Sequence, residues 1–460
     1  MKKLIDNFSQ RGDWWLPENP KEIVSGRINY NPSKGIKLYL DGFLYDPGEQ
    51  GRENSIIHGI IHTGEYCTLF NCFYTNWTIS GETKHAEIQA YEALFGIHTL
   101  IDPKFESVRI YSSGLTDWVQ RKRIFVKSVQ STTIITKTNL KPLKYSIPNQ
   151  GLIVKIESLS TESISWKHID IKFKECLVIK PYKNQDKKWY RNKVNEIVQL
   201  FTLLINRKII IEAEWFQKRK RIRGQNKFRL FFIDHLIQLS GIFSKTEDHQ
   251  IRTEFIPFKK VEKQFDIIIA NWFKKYAKIK AVMDQYMAAF YGADIGYELK
   301  FLSSVRALEA FHRSFFKGKY LSDTEYDVIR KQIQNSIPKI HNDHKEALKS
   351  RIYYGNEYSL RKRLKEILDS IYDPLMDLLI DNKRHFIDNI VNTRNCLIHE
   401  DESLKQQCLS FGNIIIATHK LKAIIVYLIL IEIGINKVDV FTAIQSHKAD
   451  FIIYEVEIFE

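Results

Sequence analysis

An arginine and a histidine lie five residues apart in the segment Asn392-Thr393-Arg394-Asn395-Cys396-Leu397-Ile398-His399. A neutral imidazole can take the proton from a ribose 2′-hydroxyl, which then attacks the adjacent phosphodiester. A guanidinium can stabilise the negative charge that develops on the phosphoryl oxygens. Arg394 and His399 are therefore candidate catalytic residues for RNA cleavage, and this chemistry requires no metal ion or other cofactor.

The residues before this segment predict a helix. Arg394 falls on its apolar stripe at about 100° per residue, and the stripe is formed by Ile387, Ile390 and Val391. A buried unpaired charge is costly, so Arg394 needs a partner or a phosphate. Asn395 and His399 are four residues apart on a neighbouring stripe, so the helix end is expected to present all three polar side chains together. For His399 alone, a surface or capping role remains an alternative.

The motif resembles a known family. Arg394-Asn395, three further residues and His399 resemble the arginine-x(four to six)-histidine signature of HEPN-domain ribonucleases, and the surrounding Asn-Thr-Arg-Asn resembles the ApeA-like branch. The opening Gly-Asp-Trp-Trp-Leu-Pro17 and Gly26 resemble the domain that precedes the nuclease bundle in that branch. The resemblance implies a metal-independent endoribonuclease of bacterial anti-phage defence (abortive infection). It also implies a phage-derived trigger, host RNA as substrate with tRNA as one candidate, and a homodimer or higher homo-oligomer.

Glu309 is a further candidate site residue. It lies at the edge of the apolar stripe of a predicted helix that contains Val305, Leu308 and His312. In the resembled family an early helix supplies a polar or acidic residue near the arginine and histidine, which makes Glu309 the candidate to orient one of them. The alternative is that Glu309 pairs with Arg306 or Arg313 on its own helix.

Hydrophobic periodicity predicts an α+β fold with two domains: a strand-rich N-terminal domain followed by an all-α helical bundle. The resemblance implies that this bundle is HEPN-like. The predicted boundaries are 1–240 for the strand-rich domain, 241–290 for a helical connector and 291–460 for the bundle. Short alternating runs indicate strands in the first domain, with one helix at about 190–206 and a hairpin formed by 208–216 and 228–233 around 224–226. Predicted bundle helices include 323–340, a helix at 360–379 that continues across Pro374, and a long helix at 404–435. The last contains an unbroken apolar stretch too short for a membrane span, so it is expected to be a buried central helix.

Basic charge is concentrated in the N-terminal half. Residues 1–240 contain 37 Lys and Arg against 24 Asp and Glu, whereas residues 241–460 contain 32 against 30. Basic clusters near aromatic side chains suit an RNA backbone with stacked bases, although each cluster alone could be a solvated surface. The predicted RNA-binding residues are Arg121, Lys122, Arg123, Lys218, Arg219, Lys220, Arg221 and Arg223. A smaller run, 361–365, is interpreted as a solvated helix face.

The remaining features indicate a cytoplasmic protein without a membrane segment. Acidic and polar residues close to Met1 interrupt any apolar signal core. The five cysteines lie in apolar runs and are expected to be reduced, and Cys67 and Cys72 lack companion ligands at zinc-site spacing. They are Cys67, Cys72, Cys176, Cys396 and Cys408.

Three functions fit these observations. The first is the metal-independent endoribonuclease. The second is a non-catalytic helical scaffold that binds RNA, a nucleotide or a partner protein. The third is a binding protein whose strand-rich domain is the functional part and whose bundle only dimerises. The intact Arg394, Asn395 and His399 favour the first.

Overall fold

The chain forms a strand-rich unit followed by a helical one. The computed structural model describes residues 2–47, 55–100, 102–129, 132–221, 228–237, 254–292, 295–337, 342–399 and 406–451. The chain divides into two compact units, Met1–Phe273 and Lys274–Glu460. The predicted α+β fold class is therefore confirmed. The division between the units falls inside the segment predicted as a helical connector.

The first six strands close into an antiparallel barrel. They run in the order β6-β3-β2-β1-β4-β5, and β5 pairs back with β6. Alternate side chains point into the barrel and form its core, as expected for strands with one buried face. The strands are β1 (Phe8–Leu16), β2 (Asn19–Asn31), β3 (Gly35–Leu40), β4 (Ser55–Ile61), β5 (Tyr66–Ser80) and β6 (Thr83–Phe95).

The barrel explains why a glycine faces Trp14. The Trp14 side chain is fully buried, and it pairs across the β1–β4 ladder with Gly59. A Cβ atom on Gly59 would lie within 2.8 Å of three atoms of the indole. The closeness of this contact therefore excludes any larger residue at position 59 unless Trp14 moves.

A second antiparallel sheet continues from the barrel. Its order is β14-β13-β7-β12-β11-β10, and β14 pairs with β6 of the barrel. The predicted hairpin is confirmed as the β13–β14 pair, while its predicted turn lies outside the described residues. The strands are β7 (Ser107–Ser112), β10 (Leu143–Ile147), β11 (Leu152–Ile164), β12 (Ile169–Pro181), β13 (Ile211–Arg221) and β14 (Phe228–Ile237). A separate hairpin consists of β8 (Ile124–Val129) and β9 (Thr132–Lys137).

An aromatic cluster joins the helices of this unit. Trp118 is buried, donates from its indole N–H to the carbonyl oxygen of Ile256 at 2.7 Å, and contacts the rings of Phe201, Phe258 and Phe265. These side chains come from four helices, so the cluster fixes them around one point. The helices are α1 (Leu115–Val119), α2 (Lys187–Ile205), α3 (Phe258–Val261) and the start of α4 (Phe265–Tyr291). The predicted helix at 190–206 is α2.

The second unit is a helical bundle around one apolar helix. Its further helices are α5 (Tyr297–Phe315), α6 (Asp323–Asn335), α7 (Asn342–Tyr353), α8 (Leu360–Asp369), α9 (Asp373–Leu379), α10 (Lys383–His399), α11 (Phe411–Glu432), α12 (Lys437–Ser446) and α13 (Lys448–Phe451). α11 is long and apolar enough to cross a membrane by composition, yet most of it is buried inside the bundle. A core helix meets the same criteria, so the prediction of a buried central helix is confirmed, over a shorter range than 404–435.

The prediction of one helix across Pro374 is wrong. α8 ends at Asp369 and α9 begins at Asp373, with Pro374 in its first turn. Proline has no N–H to donate to the preceding turn and its ring clashes with it, so it is tolerated at the start of a helix and not in the middle. The apolar periodicity continues through the break because α8 and α9 both face the same core.

Candidate active site

The motif occupies the last two turns of α10. Ile390, Val391 and Thr393 are buried, Arg394 and Asn395 are partly buried, and His399, the last residue of the helix, is exposed. The guanidinium of Arg394 donates a hydrogen bond to Oδ1 of Asn395 at 3.0 Å. Asn395 is about 100° around the helix from Arg394 and about 40° from His399, so it lies between them. The helix end therefore presents the three polar side chains at the edge of the core, as the periodicity predicts.

Arg394 has donors without a partner among the residues that the structure describes. A guanidinium has five N–H groups, and within the described residues Arg394 has one hydrogen bond, to Asn395. No other protein acceptor in this part of the chain satisfies the remaining donors. The apolar stripe of α10 therefore ends in a positive charge that can still bind an anion.

Glu309 takes the alternative role. Its carboxylate pairs with Arg313 on the same helix at 3.1 Å, and Arg313 also binds Glu357 at 2.9 Å. Among the described residues Glu309 has no hydrogen bond or ion pair with Arg394 or His399. Its proposed role in orienting one of them stays a prediction.

The chain segment after the motif is fastened back onto α10 at two points. Cys396 and Cys408 form a disulfide with a Cα–Cα distance of 6.2 Å, which is within the usual range. The hydroxyl oxygen of buried Thr393 accepts a hydrogen bond from the backbone N–H of Leu409 at 3.0 Å. Both anchors lie inside or next to the Arg394–His399 motif, so they fix the position of its helix end.

The prediction that all five cysteines are reduced is thus wrong for Cys396 and Cys408. The other three, Cys67, Cys72 and Cys176, are free and buried, and burial raises the pKa of each thiol. Cys396 and Cys408 differ from these three in being only partly buried. Their separation of 12 residues, on either side of the end of the motif, was the sequence feature that could have indicated a disulfide.

The predicted RNA-binding residues near position 121 have different surroundings. Arg123 is buried and forms an ion pair with Glu175, so its side chain offers no exposed surface to RNA in this structure. Arg121 donates to the carbonyl oxygen of Lys141 at 3.0 Å. Lys122 is exposed and lies 5.1 Å from the ring centroid of Phe125.

The second predicted cluster is described only in part. Arg219 is exposed and pairs with Glu106 at 3.1 Å, and Lys218 is partly exposed on β13. Lys220 and Arg221 belong to β13 by their backbone, and Arg223 lies outside the described residues. RNA binding by both clusters stays a prediction.

A basic groove between α8 and α10 was not predicted. Its cavity has a volume of about 820 Å³. Five basic and two acidic side chains line it, together with Ser359 and the apolar Leu368 and Ile387. The charged residues are Arg361, Lys362, Lys365, Lys383, Arg384, Asp369 and Asp388. The interpretation of 361–365 as a solvated helix face therefore needs correction: three of its cations face a second helix across a groove.

The fourth cation of that run points into the bundle. Arg363 is 1% exposed, and its guanidinium donates to Nδ1 of His312 at 3.1 Å and to the carbonyl oxygen of Tyr358 at 3.0 Å. His312 also contacts Glu366 through Nε2 at 2.9 Å. Burial, more than its charged neighbours, lowers the pKa of His312. This cluster connects α5 to α8 and has no contact with the motif among the described residues.

Within the described residues no group of three or more His, Cys, Asp or Glu side chains is arranged to hold a metal ion.

Sequence comparison matches the chain to two family models. ApeA N-terminal domain 1 matches residues 9–272, and Apea-like HEPN matches residues 302–439. The first match spans more than half of the chain, and the second includes Arg394, Asn395 and His399. No curated protein and no solved structure matches the chain.

Proposed function

The chain belongs to the ApeA-like HEPN family, and from that premise we propose that it is a metal-independent endoribonuclease that cuts RNA with Arg394 and His399. HEPN domains are generally found in ribonucleases, which gives the reaction class. The observation that carries the proposal is the partly buried guanidinium of Arg394 in the last two turns of α10, whose one hydrogen bond among the described residues leaves N–H donors for a phosphate.

The reaction proceeds by attack within the substrate. His399 takes the proton from a ribose 2′-hydroxyl, and the 2′-oxygen forms a bond to the adjacent phosphorus. The bond from phosphorus to the 5′-oxygen of the next nucleotide breaks, and that oxygen receives a proton. Arg394 stabilises the added negative charge on the phosphoryl oxygens, and Asn395 orients Arg394 through its hydrogen bond. The products have a 2′,3′-cyclic phosphate end and a 5′-hydroxyl end.

The proposed biological role is abortive infection. A phage-derived trigger releases cleavage of host RNA, with tRNA as one candidate, and growth stops. Because host RNA is the substrate, the proposed location is the cytoplasm. A second copy of the chain, in a homodimer or higher homo-oligomer, would bring a second Arg394 and His399 to the same RNA.

The test is cleavage of total cellular RNA by the purified full chain in EDTA, with and without extract from phage-infected cells. We expect Arg394→Ala and His399→Ala each to lower the rate by at least about 100-fold, since each removes a group that acts in the transition state. The matched control is His385→Ala, because His385 is an exposed histidine near the other end of the same helix. The new 5′ ends should accept phosphate from a kinase without prior phosphatase treatment.

Three results would decide against the proposal in different ways. Cleavage that disappears in EDTA contradicts the metal-independent mechanism. Cleavage retained by both variants contradicts the assignment of the site. A chain that cuts no RNA under either condition, and whose expression never slows growth on infection, favours the non-catalytic scaffold.

A further inference from the structure

The groove between α8 and α10 carries a local positive charge that the composition of the bundle conceals. The C-terminal half is nearly neutral, with 32 basic and 30 acidic residues from 241 to 460. The walls of the groove, in contrast, contain five basic and two acidic side chains. Cations gathered in a concave surface raise the local concentration of an anionic ligand.

The ion pairs in the groove leave two of its cations unpaired. Arg361 binds Asp388 at 2.8 Å, and Lys383 lies 3.6 Å from Asp369. Lys362 pairs with Glu366 at 3.2 Å. Lys365 and Arg384 are both exposed and have no ion pair within the part of the chain that the structure describes. They are the charges that a ligand can neutralise without competition from a carboxylate.

The groove and the motif share one face of α10. Lys383 and Arg394 are eleven residues apart, which places them within about 20° around the helix and about 16 Å apart along it. Ile387 lines the groove and lies on the same stripe between them. This distance is longer than one nucleotide, so only an RNA of several nucleotides can contact both the groove and Arg394. An RNA strand that passes Lys383 and Ile387 along this side of α10 can therefore extend to Arg394, whereas Arg384 lies about 80° around the helix from Arg394.

We propose that the groove binds the phosphodiester backbone of the RNA strand on one side of the cut, with Lys365 and Arg384 as its main contacts. This inference rests on the proposed ribonuclease function and specifies how the bundle itself holds its substrate. Lys362 and Lys383 contribute through charges that their carboxylate partners share. The apolar Leu368 and Ile387 give the bases or riboses a surface between the cations.

The test separates binding from cleavage. Binding of a fluorescently labelled single-stranded RNA is measured for the full chain carrying His399→Ala, so that the RNA stays intact. Adding Lys365→Glu and Arg384→Glu should weaken binding about tenfold and reduce the slope of log affinity against log salt by roughly 1.4, the value for two phosphate contacts on a single strand. Lys365→Gln with Arg384→Gln should give a smaller loss of affinity, because no repulsion is added.

A matched control keeps the same change in net charge. Lys274→Glu with Lys448→Glu reverses two exposed lysines that lie on α4 and α13, outside the groove. We expect this control to bind RNA almost as His399→Ala does. Far-ultraviolet circular dichroism of each variant shows whether the helices remain intact.

Cleavage kinetics provide the second measurement, in a chain with Arg394 and His399 intact. Lys365→Glu with Arg384→Glu should raise KM for a long RNA about tenfold and raise KM for a dinucleotide much less, since a dinucleotide is too short to reach the groove from Arg394. Normal binding and normal KM in this variant would overturn the groove proposal while leaving the ribonuclease proposal intact. Groove-dependent RNA binding by a chain that never cleaves RNA would support the groove proposal and contradict the ribonuclease proposal. Displacement of the RNA by polyglutamate at lower concentration than by unlabelled RNA would also overturn the proposal, in favour of an acidic protein.

Discussion

The hydroxyl oxygen of Thr393 accepts a hydrogen bond from the backbone N–H of Leu409 at 3.0 Å. Thr393 directly precedes Arg394, the arginine of the motif. Thr393 is fully buried, so water cannot replace this partner. Together with the disulfide between Cys396 and Cys408, the bond fixes the chain after the motif against α10. The side chains that stabilise this helix end are therefore different from those that would do the chemistry.

Replacing Thr393 by valine tests the first anchor. Valine has nearly the same shape but accepts no hydrogen bond, so the N–H of Leu409 loses its partner and stability should fall by about 1 kcal/mol. Urea unfolding of the full chain measures the change. Thr393→Ser keeps the hydroxyl and should retain more of that stability than valine does. Equal stability of the valine variant and the wild type would mean that the bond contributes nothing.

Reducing the disulfide tests the second anchor. Closing a loop of about 12 residues stabilises a chain by roughly 3 kcal/mol in the chain-entropy account. We therefore expect dithiothreitol to lower the melting temperature of the wild type to that of the Cys396→Ser, Cys408→Ser double variant. The double variant itself should not respond to dithiothreitol, because Cys67, Cys72 and Cys176 are free already. A wild-type melting temperature that is the same with and without reductant would contradict the disulfide.

The sequence reveals the candidate catalytic residues but not the contacts that hold their helix end in place. The position of Arg394 on an apolar stripe was visible from periodicity, because helix geometry fixes which residues share a face. The contacts of Thr393 and Cys396 depend on where the chain returns after residue 405, and local periodicity contains no information about that. The same reason explains Arg363, which looked like one of several surface cations until α5 supplied His312 as its partner.

The fold shows the same division. Alternating runs predicted strands, and the strands are present, but the closure of β5 onto β6 into a barrel depends on pairings between distant segments. The break before Pro374 could have been predicted, since proline disfavours a continuous helix. Its apolar neighbours concealed the break because the two helices face one core.

A buried histidine in the barrel unit predicts how stability depends on pH. His235 is 3% exposed and contacts Glu214 through Nδ1 at 2.5 Å and Glu92 through Nε2 at 2.6 Å. Burial lowers the pKa of His235, but Glu214 and Glu92 together outweigh it and raise the pKa to about 9. Lys187 faces the same cluster, with its ammonium 2.8 Å from Glu92.

The folded state favours the protonated form of His235, so the protein should become less stable as the pH rises. The stability that His235 contributes is fully present below its unfolded pKa and is lost as the pH rises through about 9. The free energy of unfolding should therefore fall by an amount on the order of 3 kcal/mol between pH 6.5 and 9.5. Urea unfolding across that range measures it. His235→Gln should flatten this dependence, whereas His62→Gln, at an exposed histidine of the same unit, should leave it unchanged; a steep fall that persists in His235→Gln would assign it to other groups.

Two arginines two residues apart on α8 should respond very differently to truncation. Arg363 is buried and bonded to His312 and to the carbonyl oxygen of Tyr358, so Arg363→Ala leaves both without their donor and creates a cavity. Each buried polar group left without a partner costs about 1 to 3 kcal/mol, and the cavity adds to that loss. Arg361 is exposed and pairs with Asp388, and surface pairs contribute at most about 1 kcal/mol. Urea unfolding of the full chain should therefore show a large loss for Arg363→Ala and a small one for Arg361→Ala. Similar losses for the two variants would mean that the Arg363 cluster does not hold α5 against α8.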